Sequence, residues 1–181
     1  GPVRIEAARD VEINQPIVNL VTGREALRVT AGQDVTVRAA VDGRGGVEGG
    51  AITLTAGRDL RVQEAVVANN GAVALTATTG ALTVAPGTPI VAGTGALTLT
   101  GRGDVTTGPV NAGSLAVTST AGAVAVNGLI DASTGSARLS AATDVTINAP
   151  VLNGQSGGAL TVAAGRDVAV NALVDGRGGV A

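Results

Sequence analysis

The sequence has no cysteine, histidine, lysine, methionine, phenylalanine, tyrosine or tryptophan, and each gap closes off a class of answer. Without cysteine there is no disulfide framework and no thiol chemistry. Without aromatics the core is filled by aliphatic side chains alone, and it is thin. Nucleic-acid binding loses its stacking platforms, and with 12 arginines against 14 carboxylates it loses its electrostatic footprint as well. No apolar run reaches the roughly 18 residues of a membrane-spanning helix, so membrane insertion is not expected. No basic and then apolar leader opens the chain. Gly1-Pro2 reads as the remnant of an expression tag, and Gly178-Gly179-Val180-Ala181 as the start of another copy. The expectation is one segment over residues 3–181, cut at both ends from a longer repeat array.

What the sequence does have is one unit written repeatedly. Its clearest copy is Ala51-Ile52-Thr53-Leu54-Thr55-Ala56-Gly57-Arg58-Asp59-Leu60-Arg61-Val62, and a near-duplicate runs from Ala159 to Val170. Two short runs alternate apolar with polar or small residues, and a Gly-Arg-Asp turn joins them. Period-two alternation places Ile52 and Leu54 on one face of a strand and Thr53 and Thr55 on the other. The second run recurs as Val11/Ile13, Val35/Val37, Leu60/Val62, Leu82/Val84, Val105/Thr107, Val124/Val126, Val145/Ile147 and Val168/Val170, at intervals of 24, 25, 22, 23, 19, 21 and 23 residues. A third apolar patch follows in each copy, among them Ile17-Val18, Ile90-Val91, Leu129-Ile130 and Leu173-Val174. Pro16, Pro89, Pro109 or Pro150 introduces it in half of the copies.

A fixed period of about 22 residues points to a solenoid, because a propeller blade needs roughly 40. No helical spacing is visible, which leaves an all-β, single-stranded parallel β-helix of about eight coils with three short strands each. Its right hand follows from crossover chirality. Coils stacked about 4.8 Å apart make a rod of roughly 38 Å. One coil buries too few aliphatic side chains to offset the entropy of ordering its backbone, so stability is a nearest-neighbour sum along the stack.

Asp precedes the second strand in six copies (Asp10, Asp34, Asp59, Asp104, Asp144 and Asp167), with Ala81 and Ala123 in the other two. These carboxylates are expected to accept backbone N–H groups within the turn, and the glycine before them to supply a positive φ. The longest insertion, residues 42–50, falls at the third corner, where extra length costs little. The weakest coil is expected at Gly101–Gly113, shortened and with Thr107 where the column calls for valine. A dent is expected there.

The repeated Leu-Thr-Leu/Val-Thr/Ala, the Ala-Gly-Arg-Asp-Val/Leu-x-Val turn and the Ala/Pro-x-Val-x-Gly corner resemble the repeats of filamentous haemagglutinin-like exoproteins, the large adhesins of bacterial two-partner secretion. The likeness covers essentially the whole chain. It implies a right-handed parallel β-helix displayed on the outside of a Gram-negative cell, or shed from it. The lack of cysteine fits the export of an unfolded chain through an outer-membrane transporter, as the family implies.

Four constellations bear on function. Arg102-Gly103-Asp104 is an integrin-type tripeptide, and it also reads as the repeat's own Gly-Arg-Asp turn altered by one inserted glycine. The stacked Asp column could take up a cation, yet its spacing is far wider than that of calcium-binding nonapeptides, and arginines and turn N–H groups suffice to satisfy it. Polysaccharide-processing enzymes share the β-helix, but this chain has no aromatic subsites and no histidine or lysine, and its carboxylates do not converge. Outward threonines form partial columns, Thr53, Thr98 and Thr161 in one and Thr30, Thr55, Thr76, Thr100 and Thr118 in the next; a regular Thr-x-Thr face would suggest ice binding, but Arg4, Glu6, Arg28 and Arg138 interrupt these columns, and β-propensity explains them.

The expectation is therefore a non-enzymatic stalk segment without cofactors, extracellular, that projects a distal functional region. Its partners are the flanking repeats and, during export, the secretion transporter. The alternatives are a binding module for a host receptor or glycan and, more remotely, a glycan-processing enzyme. The open ends of the rod are expected to associate head to tail.

Overall fold

A computed structural model describes residues 1–45, 47–132, 134–154 and 158–176. Among the described residues there is no helix, and the strands form three parallel sheets of eight. The first sheet stacks Val3–Ala7, Glu25–Ala31, Ala51–Ala56, Val73–Ala77, Ala96–Gly101, Ser114–Ser119, Ala137–Ala141 and Leu160–Ala164. The second begins with Val11–Ile13 and ends with Val168–Val170; the third begins with Ile17–Val18 and ends with Val174–Asp175. One strand from each sheet makes a rung. Eight rungs span about seven full turns of a β-solenoid.

The apolar pattern explains the wrapping. Each strand turns alternate residues inward, so the registers build continuous columns such as Ile5, Val29, Leu54, Leu75, Leu99, Val117, Leu139 and Val162. Leu54, Leu75, Leu99 and Leu139 are fully buried, as are Leu60 and Leu82 of the second sheet and Ile90 and Ile130 of the third. Beside the first corner the inward column narrows to Ala31, Ala56, Ala77, Gly101, Ser119 and Ala141. Small residues are needed there because the two sheets converge. Ser119 is buried in that column with its hydroxyl satisfied, donating to the Gly103 carbonyl at 2.7 Å and accepting from Gly122 N–H at 2.9 Å.

Three expectations need adjustment. Two of the eight third strands start one residue later than their apolar run suggests. Ile130 pairs with Val110 and Val174 with Val151, which leaves Leu129 and Leu173 outside the core, 44% and 59% exposed. They occupy the position that proline takes elsewhere. The fifth rung is shortened at the third corner, where Gly113 alone separates its last strand from the next first strand, yet the first sheet passes through with six paired residues from Ala96 to Gly101. The irregularity is confined to Thr107. It drops out of the pairing with the rung before, and its hydroxyl is fully buried with no hydrogen-bond partner. The third adjustment concerns the turn glycines, whose role is set by the first corner.

The insertion at residues 42–50 does lie at the third corner, between Val41–Asp42 and Ala51–Ala56. A bulge at Ala26 in the neighbouring first-sheet strand accompanies it.

Candidate functional site: the Asp corner and the Arg-Gly-Asp turn

Between the first and second sheets the chain turns in three or four residues. The carbonyl of the last turn residue accepts from the rung before: Val11 N–H donates to Asp34 O, Val35 N–H to Asp59 O and Val145 N–H to Asp167 O, all at 2.9–3.0 Å. The N–H of that same residue has no backbone acceptor among the described residues. The equivalent side chain one rung earlier takes it. Asp34 N–H donates to Asp10 Oδ1 at 3.1 Å, Asp59 N–H to Asp34 Oδ1 at 3.1 Å and Ala81 N–H to Asp59 Oδ1 at 2.9 Å. Ala123 N–H donates to Asp104 Oδ1 at 2.9 Å and Asp167 N–H to Asp144 Oδ1 at 3.2 Å.

The carboxylates therefore bond between rungs and not within their own turns. The cause is spacing: a side chain as short as Asp spans the gap of about 4.8 Å to an N–H that the ladder leaves over. Asp167, in the last rung, is the one member of the column with no described rung beyond it.

The turn glycines also act between rungs. Gly57 and Gly165 do not have positive φ, which among the described glycines is found at Gly23, Gly49, Gly87 and Gly93. A Cβ on Gly57 would instead lie 2.1 Å from the Gly32 carbonyl oxygen, and one on Gly165 would lie 2.1 Å from that of Ala142. Glycine is required where one three-residue turn sits directly on another. The turns ending in Ala81 and Ala123 have four residues, and the turns above them carry Arg102 and Ala142 at this position.

Arginines complete the corner. Arg58 Nε and Nη2 donate to Asp34 Oδ1 and Oδ2 at 2.9 and 2.5 Å, and Arg166 grips Asp144 in the same bidentate way. The Arg58 guanidinium, helped by Asp59 N–H, holds the Asp34 carboxyl below its ordinary value against a smaller opposing effect of burial. Arg166 does the same for Asp144. Arg61 reaches Asp59 at 3.1 Å. Stacked carboxylates are thus engaged by N–H groups and guanidinium ions, and among the described residues no three acidic groups gather as a metal site would need.

Arg102, Gly103 and Asp104 form one of these turns. No glycine is inserted: Gly101 is the last strand residue, paired with Ala77 and Ser119, and the turn has three residues like Gly57-Arg58-Asp59. Glycine and arginine have exchanged places. Arg102 N–H donates to Ala77 O at 3.2 Å, Gly103 N–H to Gly80 O at 2.8 Å, and Arg102 O accepts from Ala121 N–H at 2.8 Å. Both charged side chains are exposed. Ala81 lies one rung before, where Asp34 serves Arg58, so Arg102 has no carboxylate to reach back to.

One further ladder escaped the sequence reading, and one expected column runs longer than expected. Asn148 Nδ2 donates to Asn127 Oδ1 at 3.0 Å and Asn171 Nδ2 to Asn148 Oδ1 at 2.9 Å, a stack at the start of the second corner. On the outer face of the first sheet Thr30, Thr55, Thr76, Thr100, Thr118 and Ser140 are consecutive partners, an unbroken hydroxyl column. The neighbouring column is interrupted by Arg4, Arg28 and Arg138, as expected. The recurrence of Asn127, Asn148 and Asn171 directly after the second strand was the available signal for the first of these. Comparison with family models, with curated proteins and with solved structures gave no match to the chain.

Proposed function

We propose that the chain is a shaft segment of a secreted, surface-displayed bacterial exoprotein of the filamentous haemagglutinin-like kind, and that it projects a distal functional region without catalysing a reaction itself. In this reading it sits outside a Gram-negative cell after passage through an outer-membrane two-partner-secretion transporter. The observation that carries the reading is the use made of polar groups at the first corner. Five carboxylates and two arginines, the residues best suited to recognition, are spent on tying five of the seven pairs of successive rungs together. A repeating, self-satisfied surface suits a spacer.

The test is to remove one rung. Deleting residues 35–59 joins Asp34 to Leu60, which occupies the register position of Val35, and leaves the four-residue turn ending in Ala81 resting on a three-residue turn as before. A shaft keeps its cooperative fold and shortens by about 4.8 Å, one rung spacing. Loss of folding would count against an interchangeable spacer.

A second reading, direct receptor binding through Arg102-Gly103-Asp104, is favoured by the exposure of Arg102 and Asp104. Beads carrying the chain, with an Asp104→Glu variant beside it, can be offered to host cells and to a glycan array. Binding lost in the variant would establish the tripeptide as a recognition site; binding that survives would move the site to the sheet faces or corner loops. No binding at all supports the shaft.

A further inference from the structure

Asparagine is followed by glycine at Asn70, Asn127 and Asn153, and the fold treats the three places differently. We infer that Asn127-Gly128 is a site of self-modification, where the side-chain amide is lost and position 127 becomes aspartate or isoaspartate. This rests on the second corner alone and is independent of the shaft reading.

The reaction needs a free backbone nitrogen and a side-chain amide that can turn toward it. Glycine after the asparagine leaves no Cβ to obstruct that approach. Gly128 N–H gives its proton to hydroxide, and the nitrogen attacks Asn127 Cγ. The new N–Cγ bond closes a five-membered succinimide, and the Cγ–Nδ2 bond breaks to release ammonia. Water then opens the ring at one carbonyl to leave aspartate, or at the other to leave isoaspartate.

The fold holds Asn70 and Asn153 out of this reaction. Gly71 N–H is committed to Ala68 O at 3.0 Å. The Asn70 side chain is gripped at both ends, Nδ2 donating to Val47 O and Oδ1 accepting from Thr94 N–H at 3.0 Å. Asn153 is fully buried, and its Nδ2 donates to Gly158 O at 2.8 Å.

Asn127 escapes these restraints. Its side chain is exposed, and its Nδ2, the leaving group, has no acceptor among the described residues. Nor has Gly128 N–H a backbone acceptor among them. The one contact to the amide assists the reaction. Asn148 Nδ2 donates to Asn127 Oδ1 at 3.0 Å, the oxygen on which negative charge gathers as the nitrogen adds. The corner also rests on the irregular part of the second sheet. Asn127 N–H donates to Thr107 O at 3.0 Å, and Thr107 is the residue that drops out of the pairing with the rung before.

Both products matter here. Residues 105–130 hold no charged side chain, so aspartate at position 127 puts a carboxylate into a neutral stretch, where Asn148 Nδ2 still finds an acceptor. Isoaspartate lengthens the main chain at a corner without room for it. A Cβ on Gly128 would already lie 2.2 Å from Pro109 N. That product loosens the sixth rung.

Peptide mass mapping after incubation at mildly alkaline pH tests this, with isoaspartate read by enzymatic methyl transfer and folding by circular dichroism. In the folded chain Asn127 is expected to convert at least about tenfold faster than Asn70 or Asn153. In denaturant the three rates converge. Asn148→Ala slows Asn127 several-fold in the folded chain, and Asn148→Asp, which replaces the donor by a carboxylate, slows it further. Neither variant changes the rate in denaturant. Two results would overturn the proposal: Asn70 or Asn153 matching Asn127 in the folded chain, or a folded-state rate at Asn127 that ignores both Asn148 variants.

Discussion

The first and second corners of the rung face the same problem and solve it in different ways. At both, the last turn residue uses its carbonyl in the ladder, accepting from the rung before, as Asp59 O does from Val35 N–H and Pro89 O from Val66 N–H. At both, the N–H of that residue is left over. The first corner supplies an acceptor, the Asp side chain of the neighbouring rung. The second corner removes the donor in half of its copies, placing proline at residues 16, 89, 109 and 150. The residue types of a solenoid corner therefore report where its orphan N–H goes. An Asp in such a column is structural before it is functional, which is the right starting point for Asp104.

Five expectations test this contrast, in descending order of effect. The largest is at the entry to the second corner, which has no place for an added polar group. Thr107→Val removes a buried hydroxyl without a partner and raises stability by about 1–2 kcal/mol, measured by denaturant unfolding. Next, Asp34→Ala leaves Asp59 N–H without its acceptor and Arg58 without its partner. A loss of about 1 kcal/mol is expected, modest because the pair faces solvent.

The same carboxylate gives a pH dependence. Its folded value lies below its unfolded one, so its contribution is complete above about pH 4–5 and disappears as the pH falls through the lowered folded value. Asp34→Asn should flatten that acid limb, which pH-dependent unfolding would show. Fourth, Ala81→Asp gives Asp104 N–H the acceptor that its column lacks, with a gain of about 0.5 kcal/mol. The smallest effect is Pro89→Ala, expected to shift stability by no more than about 0.5 kcal/mol, mostly through chain entropy. A large loss there would show that the second corner depends on more than a missing donor.

The solenoid was legible in the sequence because alternation such as Ile52-Thr53-Leu54-Thr55 and a period near 22 leave few other folds. The three strands per rung and the position of the long loop at residues 42–50 followed from the same pattern. What the sequence could not show was contact between rungs. Gly57 looks the same whether it supplies an unusual φ or makes room for a carbonyl. Asp34 looks the same whether it caps its own turn or the next. The offset at Leu129 and Leu173 was hidden because an exposed leucine beside a buried isoleucine or valine reads as one apolar run. Arg102-Gly103-Asp104 looked like an insertion until the pairing of Gly101 with Ala77 fixed the register.

Amide hydrogen exchange tests the central claim most directly, that the Asp column holds the N–H groups the ladder leaves over. In the natural chain the Asp59 and Ala81 amides should be protected, and the Ala65 amide at the second corner should exchange quickly. In Asp34→Ala the protection at Asp59 should vanish while that at Ala81, held by Asp59, persists. Protection at Asp59 that survives the loss of Asp34, or an Ala65 amide as slow as that of Asp59, would contradict the account.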